Sequence, residues 1–86
     1  MEEIFYTYLL HSQSRNKYYI GKTNNITRRF KEHNNGEEKY TKTGSPWTLI
    51  GTIISQTNSE ATKLESRLKR TKNTKYIKWY FEQHGA

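Results

Sequence analysis

A few polar side chains in this sequence fall where apolar ones are expected. Arg29 and His33 lie four apart in ITRRFKEHN. On a helix they edge the apolar stripe drawn by Ile26 and Phe30, while Arg28, Lys31 and Glu32 project elsewhere. Glu65, in LESRLK, falls inside the stripe of Ala61, Leu64 and Leu68, with Lys63, Arg67 and Arg70 facing outward. Burying a charge is expensive unless it is paired or holds a metal. A structural Arg–Glu pair beside a hydrogen-bonded His is the plain reading of any one of them. Arg29, His33 and Glu65 together, on two helices facing one sheet, favour a site. Tyr8 and Tyr19 join them if the strands that carry them form a hairpin. A guanidinium fork suits phosphate oxygens, an imidazole titrates near neutrality, a carboxylate takes a divalent cation, and a phenol near pKa ~10 needs positive neighbours to act as a base.

The elements that must position these groups are readable. IFYTYLLH at 4–11 is apolar or aromatic on both faces, as in a buried strand, and KYYIGK at 17–22 follows after the polar SQSRN, making an antiparallel hairpin. On it Tyr6 and Tyr8 share one face, as do Tyr19 and Gly21. Asn24 or Asn25 caps a helix running to about Asn35, with Gly36 beyond it. Residues 37–46 read as a surface loop ending at the only proline, and WTLIGTIIS at 47–55 as a third strand. Thr57 with Glu60 fits a capping box for a helix from Asn58 to about Arg70. A last helix, 74–83, carries Tyr76, Ile77, Tyr80 and Phe81 at core-facing spacing. The order β-β-α-β-α-α predicts an α/β fold, a small three-stranded antiparallel sheet flanked by three helices.

With 86 residues the chain has room for a single domain, 1–86, and its core rests on aromatics, which make up 14% of the residues. Fifteen Lys and Arg against eight acids give a net charge of +7, which points to a polyanionic partner. Every acid is Glu and there is no Cys, so thiolate metal sites and disulfides are excluded. MEEIFYTYLL lacks a basic leader region, and no apolar run nears the ~20 residues of a membrane span, so the expectation is a cytoplasmic protein with no membrane partner.

Tyr18-Tyr19-Ile20-Gly21, with Tyr6-Thr7-Tyr8 eleven residues ahead of it, then Arg29, His33 and Glu65 in order, resembles the GIY-YIG endonucleases, in particular their small stand-alone branch. Only the tyrosine of the GIY half is kept. HNNGEEKYTKTGSPWTLI also resembles that branch, and the likeness spans roughly residues 4–80. It implies a metal-dependent DNA endonuclease, a phosphodiester hydrolase, with Tyr8, Tyr19, Arg29, His33 and Glu65 as catalytic residues and Tyr8 as the base. On chemistry alone His33 is an equal candidate for the base. Asn73 is the nearest match to an asparagine that many family members carry on the last helix.

A lone carboxylate and no Asp make a two-metal site hard to build, so one Mg²⁺ or Mn²⁺ on Glu65 and waters is the expectation. Arg29 suits the scissile phosphate. Lys17, Lys22, Arg28, Lys39, Lys42, Lys63, Arg67, Lys69 and Arg70 are the candidate nucleic-acid contacts. DNA is the expected partner, RNA stays open because nothing here reads a 2′-hydroxyl, and target choice would come from a partner protein or a homodimer. The alternative is a non-catalytic nucleic-acid-binding module with the same fold.

Overall fold

The computed structural model describes residues 4–85; the acidic Met1–Glu3, weighed above as the start of a leader, lie outside the described residues. Strand β1 (Phe5–Ser12) occupies the middle of a three-stranded antiparallel sheet of order β2-β1-β3, between β2 (Lys17–Thr23) and β3 (Trp47–Ser55). Thr7, Tyr8, Leu9 and Leu10 are all buried, so β1 is covered on both faces, which is why its sequence runs apolar without alternation. The hairpin turn is shorter than SQSRN suggests. Ser12 belongs to β1, and its Oγ accepts from the Arg15 amide at 3.2 Å, which closes the turn early. Leu9 pairs with Gly51 but Leu10 with Leu49, so Ile50 bulges out of β3.

Helix α1 (Ile26–Asn34) starts where the Asn25 side chain accepts from the Arg28 amide at 3.1 Å, and the chain leaves it through Gly36 at φ 76°. The 37–46 connection contains one short 3-10 turn, Lys42–Gly44. Helix α2 (Asn58–Thr71) is capped by Thr57, which accepts from the Glu60 amide at 3.1 Å. Asn73 caps α3 (Thr74–His84) by accepting from the Tyr76 amide at 3.1 Å.

Two apolar clusters separate the faces of the sheet. Leu9, Ile20, Ile53, Leu68, Ile77 and Phe81, with Leu64 alongside, lie under α2 and α3. Tyr8, Leu10 and Trp47, with Tyr19, Ile26 and Phe30, lie under α1. The phenol face of the sheet therefore looks at α1, while the body of α2 packs behind, along the β2 side.

Candidate active site

The register of the β1–β2 hairpin sets the first part of the site. Tyr8 pairs with Gly21 and Leu10 with Tyr19, so Tyr8 and Tyr19 are diagonal neighbours on one face, their ring centroids 6.3 Å apart. The pairing leaves no room for a side chain at position 21. A Cβ on Gly21 would lie 2.5 Å from Tyr8 Cζ, closer still to its hydroxyl, and 3.1 Å from Tyr19 Cε1. The glycine thus lets the Tyr8 phenol lie flat over β2 and reach α1. There its Oη is 2.8 Å from His33 Nε2, and the other ring nitrogen, Nδ1, is 2.6 Å from Thr41 Oγ1. Tyr8, His33 and Thr41 are all at most 1% exposed. Thr41 is itself held by its carbonyl, which accepts from Trp47 Nε1 at 2.7 Å. The imidazole has a hydrogen-bond partner at each nitrogen and no freedom to turn.

Arg29 sits one turn before His33 and is partly exposed. Its guanidinium donates to Glu38 Oε2 at 2.8 Å and to Glu32 Oε1 at 3.1 Å, and it interacts with the Tyr8 hydroxyl. Glu32, expected to project away, instead closes one arm of this fork, because i,i+3 residues are neighbours on a helix. Burial works against the Arg29 cation, but hydrogen bonds with Tyr8, Glu32 and Glu38 outweigh it and raise its pKa. Burial pushes the Tyr8 phenol up to about 12, with Arg29 pulling the other way. The Tyr19 phenol is raised too, by burial and then by Glu38. Burial, and after it the Arg29 charge, lower the His33 pKa, so the imidazole is neutral at pH 7.

Glu65 comes to the site from α2. Its side chain is 17% exposed and forms a long ion pair with Lys69, at 3.9 Å one turn on. Lys69 Nζ in turn stands 5.7 Å from the centroid of the Tyr19 ring, at the β2 edge. The Glu65 charge raises the pKa of both Tyr8 and Tyr19. Glu65 is therefore near enough for its charge to act on both phenols. Among the described residues no group of three or more His and Glu converges as a ready metal cage. A single shielded carboxylate with only a long ion pair does fit a cation such as Mg²⁺, which keeps most of its water and is shared with substrate phosphate.

The sequence model of the GIY-YIG catalytic domain matches residues 4–78. The chain belongs to the GIY-YIG family. Membership of this nuclease superfamily implies a nucleic-acid substrate. Similar chains are UPF0213 proteins. One from Cupriavidus necator is 36% identical over 74 residues, covering 85% of this chain and 79% of that protein. One from Listeria welshimeri is 48% identical over 56 residues, 64% of this chain and 62% of that protein. One from Halobacterium salinarum is 43% identical over 54 residues, 62% of this chain and 70% of that protein. The match spans less than two thirds of the Listeria welshimeri protein's own length.

On this GIY-YIG scaffold, Tyr8, Tyr19, Arg29 and His33 come together and Glu65 borders them. The basic candidates scatter. Lys17 and Lys69 line a cleft at the β2 edge. Lys22 donates to Asn58 Oδ1 at 2.6 Å, and Arg28 pairs loosely with Glu32 on the outer side of α1. Lys39 and Lys42 are exposed on the 37–46 connection, and Lys63 and Arg70 are exposed on α2. Arg67 lies over the Tyr80 ring, 5.2 Å from its centroid, on the α3 side. Asn73 is engaged as a helix cap. Sequence reasoning missed Glu38 and Thr41, which close the site from an irregular segment in which only Lys39 and Lys42 stand out from the sequence, as nucleic-acid contacts. No helix among the described residues is long and apolar enough to cross a membrane.

Proposed function

We propose that the chain is a metal-dependent endonuclease that hydrolyses phosphodiester bonds in DNA, with Tyr8, Tyr19, Arg29, His33 and Glu65 as its working residues. The observation that carries this reading is the buried Tyr8 Oη–His33 Nε2 contact of 2.8 Å beside the Arg29 fork on a GIY-YIG fold. Glu65, with waters, would hold one Mg²⁺ or Mn²⁺, which when bound supplies charge neutralisation at the phosphate and the leaving oxygen.

The remaining work falls to side chains. Arg29 takes the non-bridging oxygens of the scissile phosphate, which requires it to exchange the Glu38 carboxylate for phosphate. Burial keeps the Tyr8 phenol protonated at neutral pH, so it serves as a base only by passing its own proton on. With the imidazole in its Nδ1–H form donating to Thr41 Oγ1, His33 Nε2 is free to accept. Tyr8 then receives the proton of the attacking water as its own moves to His33. Tyr19 holds the Tyr8 ring from the other side. Lys17, Lys22, Arg28, Lys39, Lys42, Lys63, Arg67, Lys69 and Arg70 supply long-range attraction for the polyanion. The 1–86 chain acts as one domain.

Nicking of supercoiled plasmid with Mg²⁺ or Mn²⁺, against a chelator control, tests the reading. Wild type nicks and Glu65→Gln does not. No cutting by wild type with either metal, or full activity in Glu65→Gln, overturns it, and DNA binding that persists without cutting points to a binding module.

A further inference from the structure

Beside the catalytic cluster, on the outer side of β2, the structure holds a cleft of about 640 Å³ between that strand and the α2–α3 corner. Its charged lining is entirely cationic: Lys17 from the strand, Lys69 from the last turn of α2, and Lys72 from the corner itself. Its floor is apolar, made of Ile20 and Ile77, each at most 7% exposed, with the Tyr18 ring beside them. Both non-glycine residues with positive φ among the described residues stand in its lining, Asn16 at 51° and Lys72 at 52°. Lys72 takes this conformation as the left-handed C-cap of α2, so the helix end itself fixes where its backbone stands in the cleft wall.

The combination is selective. Lysines around an apolar floor fit an anion that carries an apolar body, whereas a bare phosphate would leave the floor wet and a neutral ligand would leave the lysines idle. The volume falls within the range of small-molecule sites. The cleft meets the edge of the catalytic cluster at Tyr19, which lines it: Lys69 Nζ is 5.7 Å from the Tyr19 ring centroid and 3.9 Å from Glu65, while the floor residues Ile20 and Ile77 belong to the apolar cluster on the α2–α3 face of the sheet.

We propose that this cleft is a nucleotide subsite, in which the lysines take a phosphate of the substrate strand and the apolar floor takes the attached nucleoside, next along the chain to the phosphate handled by Arg29 and Glu65. The placement next to the cut rests on the nuclease reading; the nucleotide binding does not. A base lying on the floor is out of its pair, so a single strand reaches the cleft freely and a duplex reaches it only by opening, at a penalty of a few kcal/mol.

Two readouts test it, neither needing turnover. In the first, thymidine 5′-monophosphate or inorganic phosphate is titrated into the full chain while the isoleucine methyl resonances are followed. The nucleotide shifts Ile20 and Ile77, phosphate leaves them in place, and Lys72→Ala weakens the nucleotide response several-fold. The second is anisotropy of a labelled single strand and of a labelled duplex, with chelator present to prevent cutting. Lys72→Ala and Lys17→Ala weaken binding about 3- to 10-fold and lower the salt slope by roughly 0.7 on the single strand and 0.9 on the duplex. Lys31→Ala, which removes the same charge from the exposed side of α1, changes binding less than twofold. Loss on the single strand, on the duplex, or on both supports the subsite and says which source fills it. Equal effects of Lys72→Ala and Lys31→Ala on both probes, or identical methyl shifts with phosphate and nucleotide, overturn it. A chain that binds nucleotide in the cleft but never cuts DNA sinks the nuclease reading and leaves the subsite standing.

Discussion

Gly21→Ala tests whether the site depends on the tight crossing of the Tyr8 phenol over β2. An added methyl would stand 2.5 Å from Tyr8 Cζ, well inside contact distance, and Tyr8 cannot swing aside cheaply because it is 1% exposed and wedged between Tyr19 and His33. Overpacking of this kind costs about 1–3 kcal/mol in stability. If the phenol moves instead, it gives up the 2.8 Å contact with His33, a loss of about 0.5–1.5 kcal/mol. The chemical effect is larger, because losing a positioned base slows a reaction by roughly 10²–10⁴-fold. Nicking rates under single-turnover conditions are therefore expected to fall at least ~100-fold, with DNA affinity, measured with chelator present, changed less than about twofold. Gly51→Ala is the control: its methyl would meet Phe81 at 3.5 Å, an ordinary contact, and turnover should survive. Wild-type cutting by folded Gly21→Ala would refute the inference that Tyr8 must occupy this position.

Further outcomes follow from the same geometry. Glu38→Gln frees one arm of the Arg29 fork and should tighten DNA binding about 2- to 5-fold, the equivalent of a part-exposed ion pair of up to ~1 kcal/mol; the exposed neighbour Glu37→Gln removes the same charge and should do less, and equal effects would show that net charge alone is at work. Because the His33 pKa is lowered, its neutral, proton-accepting form is already dominant below pH 6.5, so the rate should rise with pH through a midpoint under that value and stay flat to neutrality; His33→Ala should lose that rise, and a midpoint above 6.5 would contradict the relay. Thr7 stands where the GIY signature has Ile, and its buried hydroxyl has no hydrogen-bond partner among the described residues. Thr7→Val should stabilise the fold by about 1 kcal/mol, raising Tm by several degrees in thermal unfolding, and a lowered Tm would show that the hydroxyl is satisfied after all.

Much of this architecture was legible from sequence because local signals agreed with one another. The doubly apolar β1, the Asn25 and Thr57 caps and the stripes of α1 and α2 each encode an element through its own periodicity or capping chemistry. Arg29 and His33 were readable as a pair because four residues on a helix place them on one side. What stayed hidden depends on long-range register or on irregular chain. That Gly21 must be bare follows only from its pairing with Tyr8. Glu38 and Thr41 lie in a segment with no period to read, so nothing local announced that they would reach Arg29 and His33. The stripe of α2 showed that Glu65 was inward, but not that the helix would sit behind the sheet.

Tyr8 and Arg29 are held in one hydrogen-bonded unit, and the account requires them to act as one. Turnover on supercoiled DNA by Tyr8→Phe, Arg29→Ala and the double variant measures this directly. Each single change should nearly abolish cutting, and the double should be about as slow as the worse of the two, because residues that act together are not additive. Losses that simply multiply, or a Tyr8→Phe chain that cuts at the wild-type rate, would contradict the claim that these side chains form one catalytic machine.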